Sequence, residues 1–308
     1  MEYRILGRTG LRVSALGFGA APIGLLGTEQ DRAAGVLNLL LDSGVNLIDT
    51  AASYAGSEEA IGQAVGHRRG EYVLVSKCGR ASDDLPGEDW SPKLIAATVE
   101  RALRRLRTDH LDVLLLHSAP IDVLEAGEAL GALAAARDEG KIRFAGVSGD
   151  NEAAAYAATL PDVAVVETSV NVCDQANVAS VLPVARTHDV GVLAKRPVAN
   201  AAWRAPEEQQ GFYQNYSRPY HERFAKMGLT TPAALGLGDL GWHEAALRFT
   251  LSVPGVHCAI VGTTNPDNAR SNVAAANAGP LPEDAVRRLR DAFARARDAS
   301  GADWPGLR

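Results

Sequence analysis

Short runs of apolar and β-branched residues alternate along the chain with longer amphipathic stretches. The runs do not alternate strictly between apolar and polar residues, which is typical of parallel strands that are buried on both faces. Eight runs are found, at residues 14–20, 46–50, 72–77, 111–117, 142–148, 163–171, 191–197 and 256–263. The pattern therefore predicts eight strands with helices or loops between them.

The stretches between the runs carry signals of helix starts and stops. Ser91 followed by Pro92 indicates an N-terminal cap and a first helical position, and apolar residues then recur at helical spacing. Glycines follow the helices predicted over residues 31–43 and 122–139. A strongly charged helix is predicted near the C-terminus, over residues 282–299.

This succession of strand–helix units favours a closed barrel over a large doubly wound sheet. We therefore predict an α/β fold, a (β/α)8 TIM barrel, as a single domain over residues 1–308. The alternating segment around Arg8 predicts an N-terminal β-hairpin that caps the lower end of the barrel, and the helix over residues 282–299 is an additional C-terminal helix. Residues 199–241 break the rhythm and are rich in aromatic side chains, which predicts a long, ordered loop insertion over the active face.

Composition narrows the classes of function and partner. The net charge of −6 argues against a nucleic-acid binder, and no apolar run approaches the roughly 20 residues of a membrane span, so neither partner is expected. The three cysteines are far apart, and the first ten residues lack the pattern of a secretory signal. Both features predict a cytoplasmic location, whereas the oligomeric state stays open.

Four polar residues lie at or just beyond the ends of predicted strands. Asp49, Lys77 and His117 end three of them, and Tyr54 follows Asp49. The C-terminal strand ends of a β/α barrel meet at one face, and these residues have no metal-ligand spacing, so no metal is predicted. Tyr54 could exchange a proton with a carbonyl oxygen while Lys77 lowers its pKa. Asp49 would hold Lys77, and His117 would orient the substrate oxygen.

The motifs around these residues resemble those of the aldo-keto reductases, and the resemblance covers nearly the whole chain. It rests on GVNLIDTAASYAGSEEAIGQAV, VLVSKCG, TDHLDVLLLHS and GKIRFAGVSG. The resemblance implies an oxidoreductase that transfers a hydride between a nicotinamide cofactor and a carbonyl or alcohol substrate, such as an aldehyde, a ketone or a sugar. The catalytic tetrad of the family falls on Asp49, Tyr54, Lys77 and His117.

The resemblance also implies a set of cofactor-binding residues. Ser148 and Glu167 would meet the nicotinamide carboxamide, although the family usually has Gln at the position of Glu167. Contacts to the nicotinamide ring, the pyrophosphate and the adenosine phosphate fall on Lys195, Arg196, Pro197, Asn200, Gly262, Thr263, Thr264, Asn268 and Asn272.

NADP is the expected cofactor, but NAD or dual use stays open. Members selective for NADP often carry Lys and Arg at the positions of Gly262 and Asn268, and both charges are missing here. Candidates for the substrate pocket are Ile23, Trp90 and Trp203.

Two other functions stay open. Some barrels of this type are nicotinamide-binding regulatory subunits with little catalytic turnover, although the intact tetrad weighs against this reading. A barrel hydrolase or isomerase could use Asp49 and His117, but it would leave Tyr54 and Lys77 without a role. The physiological substrate and the direction of the reaction are not predicted.

Overall fold

The computed structural model describes residues 1–307 and contains a closed barrel of eight parallel strands. The strands are β3 (Leu16–Gly19), β4 (Leu47–Asp49), β5 (Val73–Cys78), β6 (Leu111–His117), β7 (Ile142–Ser148), β8 (Val165–Ser169), β9 (Gly191–Lys195) and β10 (Cys258–Val261). Consecutive strands are neighbours, and β10 closes the ring by pairing with both β9 and β3. The predicted (β/α)8 barrel is confirmed.

A short hairpin of β1 (Tyr3–Ile5) and β2 (Arg12–Ser14) precedes the barrel and covers its N-terminal end. Its connection is a 3-10 turn in which Gly7 has a φ of +47°. A Cβ atom at Gly7 would lie 2.4 Å from the backbone nitrogen of Gly191 in β9, so only glycine fits there. The predicted N-terminal hairpin is therefore present.

Thirteen helices complete the chain in the described residues. They are α1 (Ala21–Leu25), α2 (Gln30–Asp42), α3 (Ser57–Val65), α4 (Pro92–Leu106), α5 (Ile121–Ala126), α6 (Glu128–Asp138), α7 (Asn151–Ala157), α8 (Ala176–Ser180), α9 (Leu182–Thr187), α10 (Tyr213–Lys226), α11 (Trp242–Ser252), α12 (Pro266–Asn277) and α13 (Glu283–Ser300). The single helix predicted over residues 122–139 is wrong, because Gly127 adopts a left-handed φ of 77° and divides the segment into α5 and α6.

The apolar side chains form two cores, one on each face of the barrel wall. The larger core lies between the strands and the outer helices. The smaller core fills the barrel interior with alternate residues of the strands and with hairpin residues, among them Leu6, Leu11, Val13, Val73, Val75, Val113, Leu115 and Leu193. Because side chains alternate along a strand, the last inward positions of each strand continue this inner row towards the C-terminal face.

The segment 199–241 contains regular structure rather than only loop. It includes α10 and the 3-10 turns Ala199–Ala201, Pro206–Glu208 and Pro232–Leu235. Tyr220 of α10 is almost fully buried and donates a hydrogen bond of 3.1 Å to Asp174, which follows β8. This contact ties α10 to the C-terminal side of the barrel. No helix among the described residues is long and apolar enough to cross a membrane.

Candidate active site

Polar residues occupy inward positions at or near the C-terminal ends of six neighbouring strands, β4 to β9. Leu47, Val73, Val113 and Val165 belong to the inner core, and the same strand faces continue to these polar positions. The polar residues are Asp49, Lys77, His117, Ser148, Glu167 and Lys195. The switch from an apolar barrel interior to a polar top layer creates a site at the C-terminal face, where β/α-barrel enzymes place their active sites.

Lys77 is the centre of this layer and is only 1% exposed. Its Nζ atom donates to Asp49 Oδ1 at 2.5 Å and to the backbone oxygen of Thr50 at 3.1 Å. Glu167 Oε2 lies 3.2 Å from the same ammonium. The predicted pairing of Lys77 with Asp49 is present in the structure, and a second carboxylate joins it.

The ionisation of this cluster follows from its burial. Burial and the neighbouring Glu167 carboxylate raise the pKa of Asp49 well above its usual value. Burial also acts to raise the pKa of Glu167, but the Lys77 and Lys195 ammonium groups outweigh it and hold that pKa below its usual value. Lys77 stays protonated, because its attraction to both carboxylates outweighs burial and raises its pKa.

Tyr54 reaches the cluster from the loop between β4 and α3. The Lys77 Nζ atom lies 5.4 Å from the centre of the Tyr54 ring, and the rings of Tyr54 and His117 are 6.0 Å apart, edge to face. Burial raises the pKa of the Tyr54 phenol; the Lys77 ammonium acts in the predicted lowering direction but does not prevail over burial and the two carboxylates. Within residues 1–307, Lys77 donates no hydrogen bond to the Tyr54 hydroxyl.

His117 is held as a neutral imidazole. Burial and the nearby Lys77 ammonium lower the pKa of His117 to about 3. Its Nδ1 atom lies 3.4 Å from the Ser53 hydroxyl. A neutral imidazole can donate one hydrogen bond without carrying a charge, which suits a residue that orients a substrate oxygen.

Two further contacts order the side of the site formed by β7, β8 and β9. The Ser148 hydroxyl donates to Glu167 Oε1 at 3.0 Å, so the two residues predicted at the nicotinamide carboxamide meet each other. Lys195 Nζ lies 2.9 Å from Asp150 Oδ2. Asp150 is 2% exposed and also accepts hydrogen bonds from the Thr168 hydroxyl and from the backbone N–H of Ser169. The sequence analysis assigned no role to Asp150, although this residue directly follows the motif GKIRFAGVSG.

Arg196 is oriented towards the C-terminal segment. Its guanidinium donates to the Ser169 hydroxyl at 3.1 Å and to the backbone oxygen of Leu307. It also stacks on Tyr216 of α10, 4.8 Å from the ring centre. No local sequence pattern indicates the contact with Leu307, because it joins residues 111 positions apart.

The loop after β9 has an unusual backbone. Ala199, Asn200 and Ala201 adopt φ values of 47°, 49° and 55°, and Arg196 has a φ of 56°. Pro197 is buried, and its backbone oxygen accepts a hydrogen bond of 3.1 Å from Thr250 in α11. Positive φ values are uncommon outside glycine and collect at functional sites, where successive N–H groups can face an anion.

The segment after β10 surrounds the N-terminus of α12. A Cβ atom at Gly262 would lie 2.7 Å from the Gly19 backbone oxygen and 2.8 Å from the Pro22 ring, so this position has no room for a lysine. The Thr263 hydroxyl accepts from the backbone N–H of Asn265 at 3.1 Å. Arg32 of α2 donates to the Thr264 backbone oxygen at 2.6 Å and is a cation that sequence reasoning missed.

The predicted adenosine contacts on α12 differ in exposure. Asn268 is exposed, whereas Asn272 is 3% exposed and its Oδ1 atom has no hydrogen-bond partner among the described residues. Arg270 lies on the surface and pairs with Asp267 at 3.2 Å. A buried amide oxygen without a donor is a feature that a ligand could satisfy.

The three predicted pocket residues have different surroundings. Ile23 is 4% exposed and belongs to the outer core. Trp90 packs against Gly79, directly after β5, with Arg80 4.8 Å above its ring and its indole N–H buried without a partner. Trp203 is partly buried against the outer core. Trp90 is thus the one of the three shown to lie against the end of β5, the strand that carries Lys77.

No group of three or more His, Cys, Asp or Glu side chains within residues 1–307 is placed to hold a metal ion.

Known proteins are similar to this chain in sequence and in fold. An uncharacterized oxidoreductase, YqkF, of Bacillus subtilis (strain 168) is 30% identical over 304 residues, which cover 94% of this chain and 95% of the relative. An L-galactose dehydrogenase of Arabidopsis thaliana is 27% identical, covering 89% of this chain and 88% of the relative. The solved holo form of an aldo-keto reductase from Bacillus halodurans superposes with a TM-score of 0.81 at 27% identity, over 95% of this chain and 96% of that chain. The profile of the Aldo/keto reductase family matches residues 15–293, and the chain belongs to this family of oxidoreductases.

Proposed function

We propose that the chain uses NADP(H) to interconvert a carbonyl and an alcohol, with Tyr54 as the residue that exchanges the proton. The observation that supports this most directly is the buried cluster of Lys77 with Asp49 and Glu167 beside the Tyr54 ring. A structural ion pair alone would not require a tyrosine and a neutral histidine at the same face. When bound, the nicotinamide cofactor supplies or accepts the hydride.

Tyr54 provides the proton in reduction and accepts it in oxidation. Its hydroxyl is left without a hydrogen bond to Lys77, so it can bond to the oxygen of a substrate. General acid catalysis of this kind contributes about 10²–10⁴-fold to a rate. His117, neutral because burial lowers its pKa to about 3, would donate a hydrogen bond to the same oxygen and hold it beside Tyr54.

Lys77 stabilises the phenolate that forms when Tyr54 gives up its proton. Burial and the two carboxylates raise the pKa of the phenol, and the ammonium opposes that effect. Asp49 and the Thr50 backbone oxygen fix the ammonium, so it needs no reorganisation during the reaction. Asp49 is thus a positioning residue that acts through Lys77.

The upper face has features that fit a nicotinamide dinucleotide. Glu167 Oε2 and Asn272 Oδ1 are buried without hydrogen-bond donors among the described residues. Ser148 and Glu167 would hold the carboxamide, Lys195 would pack on the ring, and the loop that contains Arg196, Pro197 and Asn200 would hold the pyrophosphate. The segment with Gly262, Thr263, Thr264, Asn268 and Asn272 would hold the adenosine phosphate, where the N-terminus of α12 favours an anion.

NADP is the cofactor we propose, with weak discrimination against NAD. Gly262 has no room for a cationic side chain, and Asn268 is neutral and exposed. Arg32, bonded to the Thr264 backbone oxygen, is a cation in contact with this segment and could interact with a 2′-phosphate. This arrangement provides less charge than a Lys and Arg pair would.

The substrate we propose is a small aldehyde, ketone or sugar. Trp90 would form one wall, and its unpartnered indole N–H could donate to a substrate hydroxyl. A relative in Arabidopsis thaliana is named L-galactose dehydrogenase, which makes sugars a sensible first panel. The three cysteines are free and buried, which suits the cytoplasmic location we propose.

The test combines binding and turnover. Purified protein is titrated with NADPH and with NADH, and steady-state rates are measured with panels of aldehydes, ketones and sugars. Cofactor binding with turnover supports the proposal. Binding without turnover on any panel would favour the regulatory-subunit alternative, and the absence of binding would contradict both.

A further inference from the structure

Glu167 is a buried carboxylate that the tetrad chemistry does not use. It is 3% exposed and accepts a hydrogen bond from Ser148 through Oε1. Its other oxygen, Oε2, has no hydrogen-bond donor and lies 3.2 Å from Lys77 Nζ. The family resemblance leads one to expect a glutamine at this position. The neutral amide of a glutamine would add no charge to the cluster around Lys77, whereas the carboxylate of Glu167 adds a negative charge.

The cluster around Lys77 carries one excess negative charge when both carboxylates are ionised. Lys77 is a single cation, and it lies 2.5 Å from Asp49 and 3.2 Å from Glu167. The next cation, Lys195, is already paired with Asp150 at 2.9 Å. An uncompensated buried charge is costly, so a cation supplied by a ligand would stabilise this arrangement.

The remaining titratable groups at this face do not remove the excess. His117 is neutral, and the Tyr54 phenol is protonated because burial raises its pKa. Arg196 directs its guanidinium to Ser169 and to the backbone oxygen of Leu307. The excess charge therefore belongs to the pair of Asp49 and Glu167. It is present above the pH at which this pair loses its proton, and burial and Glu167 raise the pKa of Asp49 above the ordinary carboxylate range.

The position of the nicotinamide ring relative to Glu167 rests on the proposed function. Tyr54 bonds to the substrate oxygen, and reacting atoms must approach to about 3–3.5 Å, so the nicotinamide ring has to lie beside Tyr54 and Lys77. Glu167 contacts the Lys77 ammonium directly. The oxidised ring carries a positive charge and the reduced ring carries none, so a neighbouring carboxylate distinguishes between them.

We propose that Glu167 is a specificity-determining residue that makes the site bind the oxidised cofactor in preference to the reduced one. The positive charge of the oxidised nicotinamide ring compensates the excess negative charge that Glu167 brings to the cluster. The reduced ring is uncharged and cannot compensate it. Tighter binding of the oxidised form shifts the equilibrium between the bound reactants towards NADP⁺ and the alcohol.

The test compares dissociation constants of NADP⁺ and NADPH, measured by calorimetry for the wild type, Glu167→Gln and Glu167→Asp. The ratio of the two constants cancels contributions from the phosphates and the adenosine. Glu167→Gln should shift the ratio towards NADPH by about tenfold, or about 1.4 kcal/mol. Glu167→Asp keeps the charge and should stay closer to the wild-type ratio.

The matched control is Glu58→Gln. Glu58 is also a buried carboxylate, 1% exposed, but it accepts from Ser76 at 2.9 Å on the outer face of β5. Ser76 precedes Lys77, so the control removes a charge close to the site but behind the barrel wall. The Glu58→Gln ratio should equal that of the wild type, and an equal shift in both variants would overturn the assignment to Glu167.

Other outcomes separate the inference from the proposed function. If both cofactors bind but Glu167→Gln leaves the ratio unchanged within about twofold, Glu167 has no such role and the proposed function stands. If neither cofactor binds to the wild type, the proposed function fails as well.

A second readout needs no variant and covers the case in which Glu167→Gln does not fold. As the pH falls and the Asp49–Glu167 pair takes up a proton, the excess charge is lost. The wild type should then lose affinity for NADP⁺ relative to NADPH. Because the pKa of Asp49 is raised, the series extends from acid to alkaline pH, and a ratio that is constant over that whole range would overturn the inference.

Discussion

The Lys77 ammonium contacts Asp49 at 2.5 Å in the upper layer of the barrel, where both side chains are almost fully buried. Because Glu167 also contacts Lys77, the removal of Asp49 leaves the ammonium with one carboxylate, whereas the removal of Lys77 leaves two carboxylates without a cation. The two substitutions should therefore have unequal effects.

Lys77→Met should lower turnover by roughly tenfold to a thousandfold, because the Tyr54 phenol loses the charge that favours its ionised form. It should also destabilise the fold by about 3–5 kcal/mol, since two buried carboxylates lose their partner. Asp49→Asn should show smaller losses of both. The measurements are pH–rate profiles and urea unfolding of the two variants. An unchanged pH–rate profile in folded Lys77→Met would show that the ion pair is structural only.

Tyr54→Phe should lose most turnover and keep its affinity for the cofactor. The expected loss is about 10²–10⁴-fold, the usual contribution of a general acid. Stability should change little, because the Tyr54 hydroxyl makes no hydrogen bond with Lys77 in the fold. Steady-state kinetics and cofactor titration check the result. A variant with nearly wild-type rates on a good substrate would assign the proton transfer to another group.

Cofactor discrimination should be weak, with NADPH preferred over NADH by less than about a thousandfold. Asn268→Arg should raise that preference by on the order of tenfold to a hundredfold, because a charged hydrogen bond contributes about 1.5–3 kcal/mol. Gly262→Lys should instead impair folding, because its Cβ atom would lie 2.7 Å from the Gly19 backbone oxygen. Dissociation constants of NADPH and NADH, measured for the wild type and for Asn268→Arg, test the weak preference and its expected increase. A preference that Asn268→Arg leaves unchanged would place the 2′-phosphate elsewhere, with Arg32 as the next residue to substitute.

Much of the barrel could be predicted from local patterns. The runs over residues 111–117 and 142–148 coincide with β6 and β7, since buried parallel strands have a strong apolar signal. The predicted ends of β4, β5 and β6 also indicated Asp49, Lys77 and His117 as neighbours, because barrel geometry brings strand ends to one face.

The remaining features depend on contacts between distant residues. The break at Gly127 was missed because an isolated glycine is compatible with a helix until its φ is known. The pairing of Lys195 with Asp150 and the contact of Arg196 with Leu307 join separate elements, so no local pattern reports them. The role of Glu167 as a second partner of Lys77 also required the three-dimensional structure.

Gly7→Ala should destabilise the fold without changing the chemistry. The φ of +47° is unfavourable for alanine, and the new Cβ atom would press on the backbone of Gly191 at the end of the barrel opposite the candidate active site. A loss of about 1–3 kcal/mol is expected from backbone strain and overpacking. Thermal unfolding and kcat of the folded fraction are the measurements. Gly10→Ala is the matched control for strain alone, since its φ is +69° but no atom lies near its Cβ position.

His117 should make the stability of the protein depend on pH in the acid range. Its pKa is lowered to about 3 in the fold by burial and by Lys77, whereas an unfolded histidine titrates near about 6.5. Between these values the unfolded state binds the proton and the folded state does not, so stability falls as the pH falls below about 6.5. Asp174, whose pKa burial raises to about 7, contributes an opposite dependence of stability on pH, but it does so equally in the wild type and in a variant of His117.

The difference in unfolding free energy between the wild type and His117→Gln, measured from pH 4.5 to 7.5, should therefore decrease towards acid by up to about 1.4 kcal/mol per pH unit. A flat difference would mean that His117 titrates normally in the fold, and the neutral donor role assigned to it would then fail at mildly acidic pH.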